Sequence, residues 1–162
     1  MTYVNLLRFY KDGNILGGRM ANITRSALVA YSAESMFDLI NDVRLYPQFI
    51  PGCAETKVLH QDNDTMRASL LISKAGVKQW FTTHNTLKRG EFIKMDLVDG
   101  PFSRLSGGWT IKSLSQSGCK IELNLDFAFS SKIVEMAFGR VFNSIAANMV
   151  IAFTARAKQV YG

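Results

Sequence analysis

Two histidines and two cysteines are the residues of this chain with intrinsic reactivity to offer, and their neighbours give them little to work with. His60 adjoins the polar stretch Gln61-Asp62-Asn63-Asp64, where an imidazole is expected to be solvated. His84 lies in Trp80-Phe81-Thr82-Thr83-His84-Asn85, opposite in phase to Phe81, and is expected to point outward. No Ser-His-Asp order, G-x-S-x-G turn or paired-histidine helix accompanies either of them. Asp96, Glu122 and Asp126 alternate with apolar residues and are expected on a solvated face, away from a pocket that would raise a general acid's pKa. Gly107-Gly108, just before Trp109, interrupts a strand pattern and reads as curvature or a bulge rather than a phosphate cradle. Cys53 and Cys119 have no metal-ligand spacing and make no disulfide framework, so no metal site is expected and a reducing cytoplasm is the expected compartment. The expectation is a non-enzyme that requires no cofactor, with a shape-directed cyclase as the remaining catalytic option.

Polar residues in the wrong place are more informative. The stretch Val77 to Leu87 sets Gln79, Thr83 and Asn85 in phase with Val77, Phe81 and Leu87. A sheet face that only packs against a helix is apolar throughout, and a polar group buried there without a partner costs about 1–3 kcal/mol. A neighbouring side chain, water or a ligand carbonyl must answer these groups. Large adaptable residues (Phe81, Met95, Leu97, Trp109, Phe127, Phe138, Phe142 and Met149) suit the lining of a cavity for a hydrophobic guest.

The elements that position these residues follow from periodicity. Ile23 to Tyr31 is β-prone, Ser32 can cap a helix, and Met36, Phe37, Leu39, Ile40 and Val43 carry three-to-four spacing. Tyr46, Pro47, Phe49 and Pro51 form a constrained loop, expected at the mouth of the cavity. From Cys53 to Phe129 the period is two, most cleanly in Cys119, Ile121, Leu123, Leu125, Phe127 and Phe129, with turns at 61–64, 75–76, 89–90, 99–101 and 115–118. Short turns between consecutive strands predict an antiparallel meander. After Ser130-Ser131 the stripe Val134, Phe138, Phe142, Ile145, Met149 and Phe153 predicts one long helix. Thirty residues of helix span roughly 45 Å, whereas an eight-residue strand reaches about 27 Å. The sheet must therefore curl, with the helix lying diagonally across it: an α+β architecture with space between its layers.

Composition agrees with one folded domain. The chain has 162 residues, of which 48% are hydrophobic and 20% charged, which excludes disordered and collagen-like classes. No run of about 18 uninterrupted apolar residues occurs. Residues 1–19 lack a signal-peptide pattern and look foreign to the rest; the expectation is an extension upstream of a natural start at Met20, with 20–162 as the domain. Nineteen Lys and Arg against thirteen acids give +6 and a pI near 9.5. That charge permits an anionic partner such as RNA or a lipid surface. No DNA-binding motif appears. Lys74, Lys78, Arg140, Arg156 and Lys158 are the candidate surface for RNA phosphates.

Three segments together, LVAYSAESMFDLINDVRLYPQFIPGC (28–53), LVDGPFSRLSGGW (97–109) and AFGRVFNSIAANMVIAFTARAKQV (137–160), make 21–161 similar to the START-like coenzyme Q-binding family. The resemblance implies a helix-grip fold, a curved antiparallel sheet wrapped around a long C-terminal helix. It also implies two kinds of activity. Some members hold ubiquinone and support respiration without catalysing a reaction, which for this chain would make ubiquinone or another polyprenyl lipid the ligand, Thr83 and Asn85 its hydrogen-bonding residues, and peripheral contact with the inner membrane an option. Another branch binds the large ribosomal subunit and blocks its association with the small one. One departure stands out: Gly52 occupies a position where quinone-binding relatives often carry a bulky aromatic. Ligand binding is the leading expectation and ribosome binding the alternative.

Overall fold

A computed structural model of the chain describes residues 2–8, as backbone only, and 20–162. Eight strands form one antiparallel sheet in the order β1-β2-β8-β7-β6-β5-β4-β3: β1 Thr2–Arg8, β2 Met20–Val29, β3 Cys53–Gln61, β4 Thr65–Lys74, β5 Val77–Lys88, β6 Phe92–Asp99, β7 Phe102–Ser115 and β8 Gly118–Phe129. Two helices complete it, α1 Ala33–Asn41 and α2 Lys132–Tyr161. The expected division at Met20 falls on a segment of which 1 and 9–19 lie outside the described residues; Thr2–Arg8 pairs along β2, with Thr2 opposite Arg25.

The meander from β3 to β8 follows the expected turns, and β8 returns to pair with β2, so the first and last strands of the 20–162 segment are neighbours. The chain crosses from β2 to the far edge strand β3 through α1 and a 3-10 turn, Val43–Gln48. Val43, expected to continue α1, instead begins that tighter turn, because Pro47 cannot supply an N–H to an α-helical ladder. Both helices start as their sequences require. Ser32 Oγ accepts from the Ser35 N–H and Ser131 Oγ from the Val134 N–H, each at 3.1 Å, satisfying amides that a helix start leaves open.

Gly107-Gly108, inside the fourteen-residue β7, hold backbone conformations that other residues rarely adopt. Both have positive φ, 114° and 140°, and a Cβ on them would fall 2.1 Å from the Asn124 carbonyl oxygen and 2.0 Å from that of Ile93. Only glycine allows strands β6 and β8 to come this close on either side of β7 here. The curled sheet wraps α2, whose Phe138, Phe142, Ile145 and Phe153 are buried against it. The helix-grip architecture expected from the strand and helix lengths is the one observed.

Candidate functional site

Between α2 and the concave sheet lies a cavity of about 70 Å³. Tyr46 and Ile50 line it from the 3-10 turn and the residues after it, Phe81, Thr83 and Asn85 from β5, Met95 from β6, Trp109 from β7, and Phe142, Ile145 and Met149 from α2. Of the residues singled out by sequence, Phe81, Thr83, Asn85, Met95, Trp109, Phe142, Met149 and Tyr46 thus meet in one place. Leu97, Phe127 and Phe138 do not line the cavity. Phe127 and Phe138 belong to an aromatic cluster around Phe102, with ring centroids 6.4 and 6.0 Å from it, and fill their space with ring edges. Leu97 shares the phase of Met95 and stands opposite Thr83, packing half-buried against the core beyond the lining of the cavity.

The loop residues separate in the same way. The buried Tyr46 hydroxyl donates to the Ile40 carbonyl oxygen. Burial, and to a lesser degree the neighbouring Cys53 and Asp42, raise its pKa far above that of a free phenol. Burial likewise pushes the Cys53 thiol, also in the lining, up to about 11. Pro47, Phe49 and Pro51 stay outside the lining. Phe49 packs edge-on against Tyr46 and Phe153, at 6.1 and 5.3 Å, and so fastens the loop to α2.

Contributors that the sequence reading did not single out as lining include Val43, Cys53, Leu105, Ile145 and Ala146, together with Ala68, Leu70 and Ile72 of β4 and Leu123 and Leu125 of β8. The strand residues carried a usable cue, being in the inward phase of their alternation. Which stretch of each strand faces the void depends on how the sheet curls.

Nearly all of this surface is apolar, which isolates the Thr83–Asn85 pair. Thr83 is 3% and Asn85 5% exposed, and the Thr83 hydroxyl donates to Asn85 Oδ1 at 2.9 Å. That bond fixes the amide's orientation and leaves Asn85 Nδ2, which finds no acceptor among the described residues, as a donor for the cavity. Gln79, the third polar residue in that phase, turns away and donates to the Trp80 carbonyl oxygen at 3.1 Å. The site can thus offer N–H donors to a carbonyl or hydroxyl oxygen inside an apolar wall. Its size is restrictive: about 70 Å³ accommodates water, which needs roughly 10–15 Å³, but falls short of the roughly 150 Å³ of an apolar cavity that binds benzene.

Gly52 explains part of this tightness. Its φ is +89°, and a Cβ there would fall 2.7 Å from Cδ1 of Ile145, a lining residue. A bulky aromatic at this position requires α2 and the loop to move apart; glycine lets Ile145 close over the loop.

The five cations named as the candidate surface for RNA phosphates fall on the β4–β5 hairpin and on α2. Lys74 and Lys78 flank the β4–β5 turn, and the Lys74 stem approaches Gly52. Arg140 and Lys158 are exposed on α2, 18 residues or about 27 Å apart. Arg156 is engaged within the fold. Its Nη2 donates to Gln48 Oε1 at 3.1 Å and the guanidinium lies 5.1 Å from the Phe49 ring centroid, clamping the loop to the helix. His60 is an exposed hairpin residue whose Nε2 lies 2.9 Å from Asp62 Oδ2. That bond, followed by those from the Asp64 and Thr65 amides, holds the Asp62 carboxyl below the usual carboxylate range.

Comparison with known proteins places this architecture. The family described as polyketide cyclase / dehydrase and lipid transport matches residues 29–154. A Vibrio cholerae protein named ribosome association toxin RatA is 55% identical over 143 residues, covering 88% of this chain and 99% of its own. The mitochondrial coenzyme Q-binding protein COQ10 homolog B of Xenopus laevis is 26% identical over 153 residues, covering 91% of this chain and 62% of its own. Among solved structures, the Zhui aromatase/cyclase from a Streptomyces species superposes with a TM-score of 0.73 at 18% identity, over 88% of this chain and 96% of that one. A START superfamily protein from Mycobacterium smegmatis does so at 0.71 and 19%, over 86% and 98%. At these identities the structural likeness speaks to the fold alone. The chain has a START-like helix-grip fold and belongs to the polyketide cyclase / dehydrase and lipid transport family, together with the proteins named ribosome association toxin RatA.

Proposed function

We propose that this protein is a non-catalytic, ribosome-directed factor that binds the large subunit and hinders its joining with the small one, so reducing translation initiation. The observation that carries this reading is the 55% identity with a ribosome association toxin over 99% of that protein's length. The geometry agrees with it on two counts. A space of about 70 Å³ is small beside the roughly 300–1,000 Å³ of typical small-molecule sites, and the basic chain, at +6, suits a phosphate-rich partner. The ranking expected from sequence is thereby reversed. The test is a sucrose-gradient assay in which purified subunits are joined with and without the protein at low salt. The expected result is comigration with large subunits and a smaller joined-ribosome peak; an unchanged gradient at excess protein overturns the reading.

A second reading, capture of a quinone or other polyprenyl lipid, has one observation in its favour, the unanswered Asn85 amide in an apolar wall. A quinone ring would have to widen the cavity by displacing Ile145 or the flexible Met95 and Met149. Organic extraction of the natively purified protein, followed by titration with ubiquinone, decides it. Absence of extracted quinone together with absence of uptake removes this reading.

A further inference from the structure

α2 has an outer face unlike that of an ordinary half-buried helix. Such a helix carries polar and mixed-charge residues toward solvent, yet here Ile133, Met136 and Ile151 are 79%, 77% and 65% exposed. Single exposed apolar residues are common; these are arranged with cations. At 100° per residue, Ile133, Arg140, Ile151 and Lys158 fall within about 20° of one line along the outer surface, a ridge of roughly 38 Å. Lys132, Met136 and Ala147 flank it on one side, and Ser144 and Ala155 on the other.

The charge on this ridge is one-sided. Glu135, half-buried in the first turn, is the only acid in α2. Elsewhere some surface cations pair with acids, Arg89 with Asp38 at 2.7 Å and Lys88 with Glu91 at 2.9 Å. Lys132, Arg140 and Lys158 have no acidic partner among the described residues.

That combination selects the partner's chemistry. A second copy of this chain seated on the ridge would bring like charges together, so the occupant is anionic. A lipid surface calls for a continuous apolar face, whereas Ile133 and Ile151 stand about 27 Å apart with Arg140, Asn143 and Ser144 between them. An RNA duplex fits better. Its minor groove is wide and shallow, displays 2′-hydroxyls between two phosphate rows, and is read mainly by shape. Spaced cations can meet the phosphates, while the small residues Ser144, Ala147 and Ala155 let the helix approach closely.

We propose that the outer ridge of α2 is the surface that lies against structured ribosomal RNA, with Arg140 and Lys158 on phosphates. This inference rests on the ribosome-directed reading and names its contact surface. The experiment compares three proteins for cosedimentation with purified large subunits over a salt series: the unaltered chain, Arg140→Glu with Lys158→Glu, and Arg67→Glu with Lys112→Glu. The last pair makes the same charge change on the outer face of the sheet. Equal urea midpoints confirm that all three are folded. The ridge variant should bind about tenfold or more weakly and with a shallower salt dependence, while the sheet variant stays within about twofold of the unaltered chain. Equal binding by the ridge variant and the unaltered chain overturns the ridge and leaves the ribosome reading standing. Failure of the unaltered chain to cosediment overturns both. Flotation with phosphatidylglycerol vesicles supplies the remaining arm: vesicle binding lost in the ridge variant, with ribosome binding intact, overturns the RNA assignment in favour of lipid.

Discussion

Two neighbouring stretches of α2 meet the same sheet differently. Toward its N-terminus, Phe138 and Phe142 enter a cluster with Phe102, Phe127 and Phe129, in which Phe102 lies 4.8 Å from Phe142 and 5.4 Å from Phe129 between centroids. Two turns further on, Ile145 and Met149 face β5 across a void. Ring edges meeting ring faces pack densely, and of these five rings only Phe142 also borders the void. The Thr83–Asn85 pair has no such option: closing apolar side chains over it would strand an amide donor, so the structure keeps a small space there. One polar pair on an otherwise apolar face is enough to turn part of a core into a cavity.

The sharpest break to this comparison is Phe102→Ala at the hub of the solid region. It should cost about 3–5 kcal/mol, read as a fall in the urea midpoint, since the surrounding rings cannot collapse into the hole. A loss below about 1 kcal/mol would mean that the cluster is as loose as the cavity. At the void, Asn85→Leu should cost about 1–3 kcal/mol by leaving the Thr83 hydroxyl buried without its acceptor. The double change Thr83→Val with Asn85→Leu should recover most of that cost, because both partners become apolar together. A single change as harmless as the double one would show that the pair does not hold the cavity open. Tyr46→Phe should destabilise by roughly 1–2 kcal/mol, because the buried Ile40 carbonyl loses its donor.

A gentler probe is alkaline pH. The folded chain keeps the Cys53 thiol protonated to about 11, and Tyr46 beyond its ordinary range, whereas the unfolded chain releases the thiol proton near 9. The thiol's contribution is therefore complete below pH 9 and is lost as pH rises toward 11, while that of the Tyr46 hydroxyl begins to be lost only above pH 10. Denaturant midpoints should fall over that window, and Cys53→Ala should flatten the fall. The smallest effect is expected from Arg156→Met, which removes the clamp on Phe49 and Gln48: about 0.5–1 kcal/mol, with faster amide exchange confined to 43–51.

Much of the site's raw material was legible beforehand. The phase of β5 placed Phe81, Thr83 and Asn85 on one face, and the apolar stripe of α2 named Phe142 and Met149 as its counterparts. The same reasoning included Phe127 and Phe138, which share phase with lining residues but sit outside the lining stretch of their elements, among rings. Arg156 read as a free cation because nothing in its local sequence reveals Gln48 and Phe49 more than a hundred residues away.

By itself the sequence determined the elements, their caps and the face each strand turns inward, because these follow from spacing and from interactions only a few residues apart. Tertiary structure alone decided how far the grip closes: how near β6 and β8 come to Gly107-Gly108, how near Ile145 comes to Gly52, and hence that the space is about 70 Å³. Cavity size is a difference between large packed volumes contributed by distant segments, and no local pattern records that difference.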